Sequence, residues 1–196
     1  MSELIDNWND VRKRIEAACL RAGRDPSEVS LIAVSKTKPA EMIEELYREG
    51  QRLFGENRPQ ELRDKEAILP ADISWHMIGH LQKNKIKYVV GKAALIHSVD
   101  SFDLARAIDA EAEKRGTGPV SVLLEVNVAE EQSKFGLKTE EIFTLAGQIA
   151  ALKNIRVKGL MTVAPFVENA EDNRPVFREL RQLSVDITRQ NIDNVS

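Results

Sequence analysis

The spacing of hydrophobic and polar residues divides the chain into a leading helix and a series of strand and helix units. Apolar residues between positions 4 and 22 recur every three or four residues, which is the period of an amphipathic helix. Gly23 can end this helix in a left-handed conformation. From residue 31 onward, short apolar runs alternate with amphipathic segments. The apolar stripe of the leading helix consists of Leu4, Trp8, Val11, Ile15, Ala18 and Ala22.

Six strands and six following helices are predicted after the leading helix. Asp103 is expected to cap the fourth of these helices, and the glycines and proline at 116–119 are expected to end it. Strict alternation of this kind, with strands buried on both faces, predicts a parallel sheet that is either open or closed into a barrel. The predicted strands cover 31–34, 52–54, 75–78, 95–99, 120–126 and 155–161, and the helices begin near 39, 59, 84, 103, 139 and 176.

Polar or reactive residues recur just past the ends of the predicted strands. An open dinucleotide-binding sheet would carry a glycine-rich turn after its first strand, but residues 35–39 contain no glycine. A ring of functional groups at the carboxyl ends of the strands is the layout of the TIM-type (β/α)8 barrel. We therefore expect an α/β barrel with an extra N-terminal helix. The ring consists of Lys36, Glu56, Asn57, His80, Asp100, Ser101, Asn127 and Thr162.

The number of units is smaller than a closed barrel requires. Eight units close such a barrel, whereas this sequence of 196 residues contains six. We expect residues 1–196 to form one barrel domain that is truncated after its sixth unit. Strands seven and eight commonly build the phosphate site of these barrels, so phosphate binding is expected to be largely absent from this chain.

Composition and charge argue against several classes of function. The net charge of −3 is spread without long runs, which argues against nucleic acid and anionic membranes as partners. Cys19 is the only cysteine, and His76, His80 and His97 lack the spacing of a zinc site, so no metal is expected. The acidic N-terminal segment does not resemble a signal peptide, and no apolar run approaches a membrane span. We expect a cytoplasmic protein.

Lys36 is the residue with the clearest chemical potential. It follows the apolar run 31–34, where a buried strand would deliver its amine to the mouth of a pocket. A lysine in a partly apolar site loses its proton more easily, and the neutral amine adds to an aldehyde to form a Schiff base. Lys38, two residues on, would assist this loss. The alternative is that Lys36 extends from the strand end into solvent.

Five short segments, in this order and at compatible spacings, carry a resemblance to a known family. They resemble the pyridoxal phosphate homeostasis protein family, whose members share the barrel of the amino-terminal domain of alanine racemase. The segments are Ala-Val-Ser-Lys-Thr-Lys-Pro at 33–39, Phe-Gly-Glu-Asn at 54–57 with Gln60 and Glu61, Trp-His-Met-Ile-Gly-His-Leu-Gln at 75–82 with Asn84 and Lys85, Asn127 with Lys134 and Gly136, and Gly-Leu-Met at 159–161.

The resemblance implies a set of cofactor-binding residues. Lys36 would hold pyridoxal 5′-phosphate (PLP) as a Schiff base, and Asn57 would lie beside the cofactor ring, where an amide offers a donor and an acceptor without charge. His76 would point into the barrel near the cofactor, or be hydrogen-bonded within the core. Asn127 would line the mouth or form a turn. Met161 would contact the cofactor or fill the core.

The resemblance also departs at the end of the chain. The family continues with a serine-rich turn, an arginine near the ring nitrogen and a glycine-threonine pair at the phosphate, and none of these follows here. Because a phosphate dianion needs such donors, we expect PLP binding to be weakened in this chain.

Several functions are compatible with these residues. The favoured one is a non-catalytic PLP carrier of vitamin B6 homeostasis, monomeric at full length, with PLP-dependent apoenzymes as candidate acceptors. The alternative is a PLP-dependent racemase or decarboxylase, which needs a second base. Tyr47 and Tyr88 fall on predicted helices, so racemisation is disfavoured. A Schiff-base enzyme of the aldolase type without PLP, or an interaction module using Lys83, Lys85 and Lys87, also stays open.

Overall fold

The computed structural model describes residues 2–129, 135–190 and 192, and its centre is one sheet of six parallel strands. The strands lie side by side in chain order, which is the order of a TIM-type barrel. The family motif residue Lys134 lies outside the described residues. The strands are β1 (Ala33–Val34), β2 (Leu53–Glu56), β3 (Ser74–Met77), β4 (Ala93–Val99), β5 (Val120–Glu125) and β6 (Ile155–Met161). The α-helices are α1 (Glu3–Arg21), α2 (Ala40–Arg48), α3 (Pro59–Glu66), α4 (Phe102–Arg115), α5 (Ile142–Ala150) and α6 (Arg174–Arg189).

The core lies between the sheet and the helices that cover it. Alternate residues of each strand face this layer, as the two-residue period of a strand requires. In β3, Trp75 and Met77 belong to the core, whereas His76 between them faces the opposite side of the sheet. The six strand and helix units therefore have the architecture expected from the sequence.

The sheet has two edges, β1 and β6, and the described strands do not pair across them. The expectation that the first strand is buried is wrong for this chain. Val34 is 51% exposed because, among the described strands, β1 pairs with β2 alone. Residues just past β1 are consequently open to solvent on one side.

Helix α1 is attached to the strands by a buried polar contact. The indole Nε1 of Trp8 donates to Oε1 of Gln51 at 3.1 Å, and the Gln51 amide nitrogen donates to the carbonyl oxygens of Leu31 and Leu53 at 2.8 and 2.6 Å. Gly23 follows the helix at a φ of 62°, as predicted. The predicted stripe is only partly correct, because Val11 is 38% exposed.

In the third unit, the short helix predicted near residue 84 is present as a 3-10 helix, Lys83–Tyr88. In the fourth unit, the predicted cap of α4 is wrong. Ser101, and not Asp103, caps α4, since its hydroxyl accepts a hydrogen bond from the Leu104 amide. Asp103 instead pairs with Lys83 at 2.8 Å, a contact between two exposed side chains that the sequence does not reveal.

Among the helices of the described residues, none has the length and apolar character that crossing a bilayer would require. Within the same residues, no cluster of three or more histidine, cysteine, aspartate or glutamate side chains has the arrangement of a metal site.

Candidate functional site

The carboxyl ends of the six parallel strands lie at one edge of the sheet, and the predicted ring of polar residues follows them. Val34 pairs with Gly55 in the register of β1 and β2. Lys36 and Asn57 are each two residues further along, so they lie at the same level on neighbouring strands. The structure thus brings together the two residues that the sequence placed closest to the cofactor.

Lys36 lies in an exposed turn immediately after β1. Among the described residues, no carboxylate forms an ion pair with its ammonium group. The next residue, Thr37, has a φ of 61°, and it is the only described residue other than glycine with a positive φ. A β-branched residue in this left-handed region is conformationally unfavourable and persists only where its surroundings hold it.

Helix α3 holds both peptide bonds that flank Lys36. The ammonium of Lys65 donates to the carbonyl oxygen of Ser35 at 2.7 Å, which belongs to the peptide bond before Lys36. The carboxylate of Glu61 accepts from the Thr37 amide at 2.7 Å, which belongs to the peptide bond after it. Lys65 also donates to the same Glu61 oxygen at 2.7 Å. Two side chains one helical turn apart therefore fix the backbone on each side of Lys36.

The third acceptor of Lys65 is Glu56 at the end of β2. Oε1 of Glu56 accepts from Lys65 and from the hydroxyl of Ser35, each at 2.7 Å. Glu56 is fully buried and Lys65 is 8% exposed, so this ion pair is shielded from water. The other carboxylate oxygen of Glu56 is buried without a hydrogen-bond partner among the described residues. Ion pairing with Lys65 is what compensates the burial of this charge.

Glu61 is ionised within this network. Burial alone would raise the pKa of its carboxyl group, but the hydrogen bonds from the Lys65 ammonium and the Thr37 amide outweigh that effect and lower the pKa. Glu61 therefore keeps its acceptor role toward Thr37 down to more acidic pH than an ordinary glutamate would.

The backbone of Asn57 is held by close contact with Gly79. A Cβ atom on Gly79 would lie 2.5 Å from the carbonyl oxygen of Asn57 and 2.7 Å from its Cα, so only glycine fits there. The carbonyl oxygen of Gly79 accepts from the buried hydroxyl of Ser98 at 2.7 Å. The position of Asn57 thus depends on three successive strands.

His76 forms a buried pair with His97 of β4. Nδ1 of His76 and Nε2 of His97 are 2.8 Å apart, and each residue is 9% exposed. Burial lowers the pKa of both imidazoles, and the neighbouring His76 adds to the shift that brings His97 to about 4. His76 pairs with Gly55, so it lies two residues below the level of Asn57, about 6.6 Å along the strand direction. His76 is thus hydrogen-bonded to His97 on the face of β3 opposite Trp75 and Met77, and its place near the cofactor stays a prediction.

Glu125 is a third buried polar residue, at the end of β5. It is 7% exposed, and burial together with the negative charge of Asp100 raises its pKa to about 7. Asp100 also lies 3.7 Å from Nδ1 of His80, whose ring stacks on Phe135 at a centroid distance of 4.0 Å. Two carboxyl groups and an exposed imidazole therefore meet at the ends of β3, β4 and β5.

Asn127 and Met161 lie on the far strands of the sheet. The backbone N–H of Asn127 donates to the carbonyl oxygen of Leu137 at 2.9 Å. The backbone carbonyl oxygen of Met161 accepts from the backbone N–H of Val126 at 2.8 Å. Both side chains are half-buried. Along the sheet, Asn127 follows β5 and Met161 ends β6, four strands from β2. Their contact with the cofactor stays a prediction.

Sequence reasoning missed Lys65, His97 and Glu125. The separation of four residues between Glu61 and Lys65 is the spacing of a helical ion pair, and it was a usable signal. It did not distinguish this pair from an exposed one, because the burial of Lys65 depends on Glu56 in another element. His97 and Glu125 fall inside apolar runs, where a lone polar residue shows neither its partner nor its environment.

A comparison with protein-family models identifies the family. The chain matches the model described as the alanine racemase N-terminal domain over residues 2–194. The chain belongs to this family. The family assignment agrees with the observed order of parallel strands and with the location of the polar ring at their carboxyl ends.

Individual relatives are similar over most of the chain. A pyridoxal phosphate homeostasis protein of Aquifex aeolicus is 45% identical over 181 residues, covering 92% of this chain and 79% of the relative. The crystal structure of an unknown protein from Bifidobacterium adolescentis has a TM-score of 0.92 at 36% identity, covering 98% of this chain and 82% of that one. The structure of PipY from Synechococcus elongatus with PLP bound has a TM-score of 0.78 at 35% identity, covering 94% and 85%.

Proposed function

We propose that this chain is a PLP-binding protein of PLP homeostasis and that Lys36 is the residue to which the cofactor becomes attached. The observation that carries the proposal is the placement of Lys36. Its amine is exposed at the carboxyl ends of the strands, without a carboxylate partner among the described residues, and its backbone is held on both sides. The PLP-bound structure of PipY, a relative at 35% identity, supports the binding of PLP.

The residues around Lys36 fit an aldehyde cofactor. When bound, PLP supplies an aldehyde that reacts reversibly with amines. The neutral Nζ of Lys36 attacks the aldehyde carbon, a C=N bond forms, and the carbonyl oxygen leaves as water. Asn57, at the same level on the next strand, offers an amide donor and acceptor to the ring without adding charge. Gly79 keeps that amide in place through its close backbone contact.

The arrangement favours a carrier over a racemase. A racemase needs a second base near the reacting carbon. The hydroxyl of Tyr47 donates to Asp72 at 2.6 Å, and this hydrogen bond raises its pKa. Tyr88 lies in the 3-10 helix Lys83–Tyr88, where its ring contacts the cations of Arg63 and two lysines. Neither tyrosine is at the strand ends, so neither is placed to act as that base.

The cellular setting is also part of the proposal. The single cysteine among 196 residues supports a cytoplasmic protein. We propose PLP-dependent apoenzymes as acceptors and a monomer as the working form. The distribution of charge without a basic patch supports small molecules over nucleic acid as ligands.

Cofactor titration tests the proposed function. PLP is added to the purified chain and to the variants Lys36→Ala and Lys83→Ala, and the visible absorbance is recorded. Lys83 is an exposed lysine that pairs with Asp103 and serves as the control. Relative to PLP alone at the same concentration, we expect the wild type and Lys83→Ala to gain a saturable visible absorbance and Lys36→Ala to gain none. A wild type without this gain at any PLP concentration, or a Lys36→Ala variant with the same gain, would contradict the proposal.

A further inference from the structure

We infer that Lys65 and Glu61 are positioning residues that fix the direction in which Lys36 presents its amine and so determine which lysine takes the cofactor. This inference rests on the proposed function, since it concerns how the same site selects its lysine. It is carried by the contacts of α3 with the turn after β1, which involve main-chain atoms on both sides of Lys36.

The ammonium group of Lys65 has no donor left for another role. A lysine ammonium carries three hydrogens, and Lys65 directs them to the carbonyl oxygen of Ser35, to Glu56 and to Glu61, each at 2.7 Å. Three acceptors from three different elements define the position of the nitrogen. One of these acceptors is the Ser35 carbonyl oxygen, in the peptide bond just before Lys36. The hydrogen bond from Lys65 therefore fixes that peptide bond relative to α3.

The hydrogen bonds on the other side of Lys36 hold an unfavourable conformation. Thr37 has a φ of 61°, and its amide would lose its acceptor if Glu61 were removed. Its hydroxyl donates to the carbonyl oxygen of Lys36 at 2.6 Å, within the same turn. Without Glu61, Thr37 can relax toward a negative φ, which would rotate the Lys36 side chain relative to β1.

The same network explains why Lys65 does not compete for an aldehyde. Lys65 is 8% exposed and is paired with two carboxylates, so its amine is shielded from an incoming aldehyde. The amine that reacts must be neutral and accessible. Lys36 is exposed and has no such partner among the described residues. The ion pair of Glu61 and Lys65 therefore has two effects. It fixes the turn that carries Lys36, and it keeps Lys65 itself from reacting with the aldehyde.

A buried apolar pair would fill the same space but could not provide this link. Replacing buried ion pairs by apolar side chains is often neutral or stabilising for a fold. Such side chains could not bind the Ser35 carbonyl or the Thr37 amide. What the charged pair adds here is the connection from α3 to the turn of Lys36.

The test compares Glu61→Ala with Glu61→Gln and with Glu66→Ala as a matched control. Glu66 is a glutamate of the same helix that also pairs with a lysine, Lys92, away from the turn. Two quantities are measured for each protein. One is the hydrogen exchange rate of the Thr37 amide without any cofactor, and the other is the rate at which PLP is trapped on Lys36 by borohydride, resolved from trapping on Lys38 by peptide mapping.

We expect Glu61→Ala to speed the exchange of the Thr37 amide and to slow trapping on Lys36, each by about tenfold, since a hydrogen bond to a charged group is lost. The fraction trapped on Lys38 should rise. Glu61→Gln retains a side-chain oxygen that can accept from Thr37 and should recover most of both values. The Glu66→Ala control should match the wild type in both measurements.

Two results would overturn the inference. One is equal behaviour of Glu61→Ala and Glu66→Ala, and the other is slower trapping without faster exchange at Thr37. The exchange measurement also separates the two proposals, because it needs no cofactor. If wild-type Lys36 takes no PLP, the proposed function fails, and the exchange at Thr37 still decides whether Glu61 holds the turn. Glu61→Ala does not leave the buried Lys65 without an ion pair, because Lys65 still pairs with Glu56.

Discussion

Lys65 of α3 donates a 2.7 Å hydrogen bond to the carbonyl oxygen of Ser35, on the peptide bond that precedes Lys36. This contact links a buried ion pair to the turn that carries the proposed PLP-binding lysine. It gives the buried charges of Lys65 and Glu56 a role beyond packing.

Removing Lys65 should be costly for stability. The substitution Lys65→Met leaves Glu56 as a buried charge without its ion pair, which costs about 3 to 5 kcal/mol. Urea unfolding measures the change. The matched control is Lys92→Met, which breaks a more exposed pair with Glu66 and should cost less than about 1 kcal/mol. Equal losses in the two variants would show that the Lys65 pair is not buried as described.

Replacing Glu56 together with Lys65 should recover stability. The double variant Glu56→Leu with Lys65→Met removes both charges and leaves no buried ion. We expect it to be more stable than Lys65→Met alone, because the uncompensated carboxylate is gone. The same urea unfolding experiment measures this coupling. A double variant as unstable as the sum of two large single losses would argue against a direct pair.

The contact between Gly79 and Asn57 predicts a strong effect of one methyl group. In Gly79→Ala, the added Cβ would meet the Asn57 carbonyl oxygen at 2.5 Å, so the backbone must move, at a cost of about 1 to 3 kcal/mol. The control is Gly147→Ala on the exposed side of α5, where no atom lies within 4 Å. That change should stabilise the protein by about 0.5 to 1 kcal/mol. Thermal melting should show a lower melting temperature for Gly79→Ala and a higher one for Gly147→Ala than for the wild type.

Glu125 should make stability depend on pH near neutrality. Its pKa is about 7 in the folded protein, above that of an exposed glutamate, so the folded state binds a proton that the unfolded state has lost. Its contribution is present at acidic pH and is lost as pH rises through 7. Glu125→Gln should therefore raise the melting temperature more at pH 8 than at pH 5. A gain independent of pH, or one matched by the exposed control Glu140→Gln, would contradict this assignment.

The histidine pair predicts the opposite dependence. The pKa of His97 is about 4 in the folded protein, so the unfolded state takes up a proton first as pH falls below the ordinary histidine value of 6.5. The contribution of the neutral pair is present above 6.5 and is lost as pH falls toward 4. Between pH 7 and pH 5, the melting temperature of His97→Gln should fall less than that of the wild type, because a glutamine side chain does not titrate. An equal fall in the melting temperatures of the wild type and His97→Gln would contradict this assignment.

The fold was predictable because its signals are local. Apolar runs of strand length and amphipathic segments of helix length identify each unit independently of the others, and the order of units alone indicates a parallel sheet. Lys36 and Asn57 could be located for the same reason, since each follows a strand. Element ends were less predictable. Ser101 caps α4 in place of Asp103 because Asp103 pairs with Lys83 of another segment.

The supporting residues of the site were not predictable from local patterns. Glu61 and Lys65 have the spacing of an ordinary surface pair, and only the packing of α3 on β2 brings Glu56 to Lys65. The contact of His76 with His97 depends on the register of β3 and β4. These contacts join residues 9 and 21 positions apart, a separation at which spacing along one element carries no information.

We propose that Lys36 takes PLP, and peptide mapping after borohydride reduction decides whether this claim holds. The chain is incubated with PLP, reduced and digested, and the modified lysine is identified by mass spectrometry. We predict that the modified peptide contains Lys36, that modification is saturable, and that Lys36→Ala abolishes it while Lys83→Ala does not. Modification spread over the exposed lysines, or unchanged in Lys36→Ala, would contradict the claim.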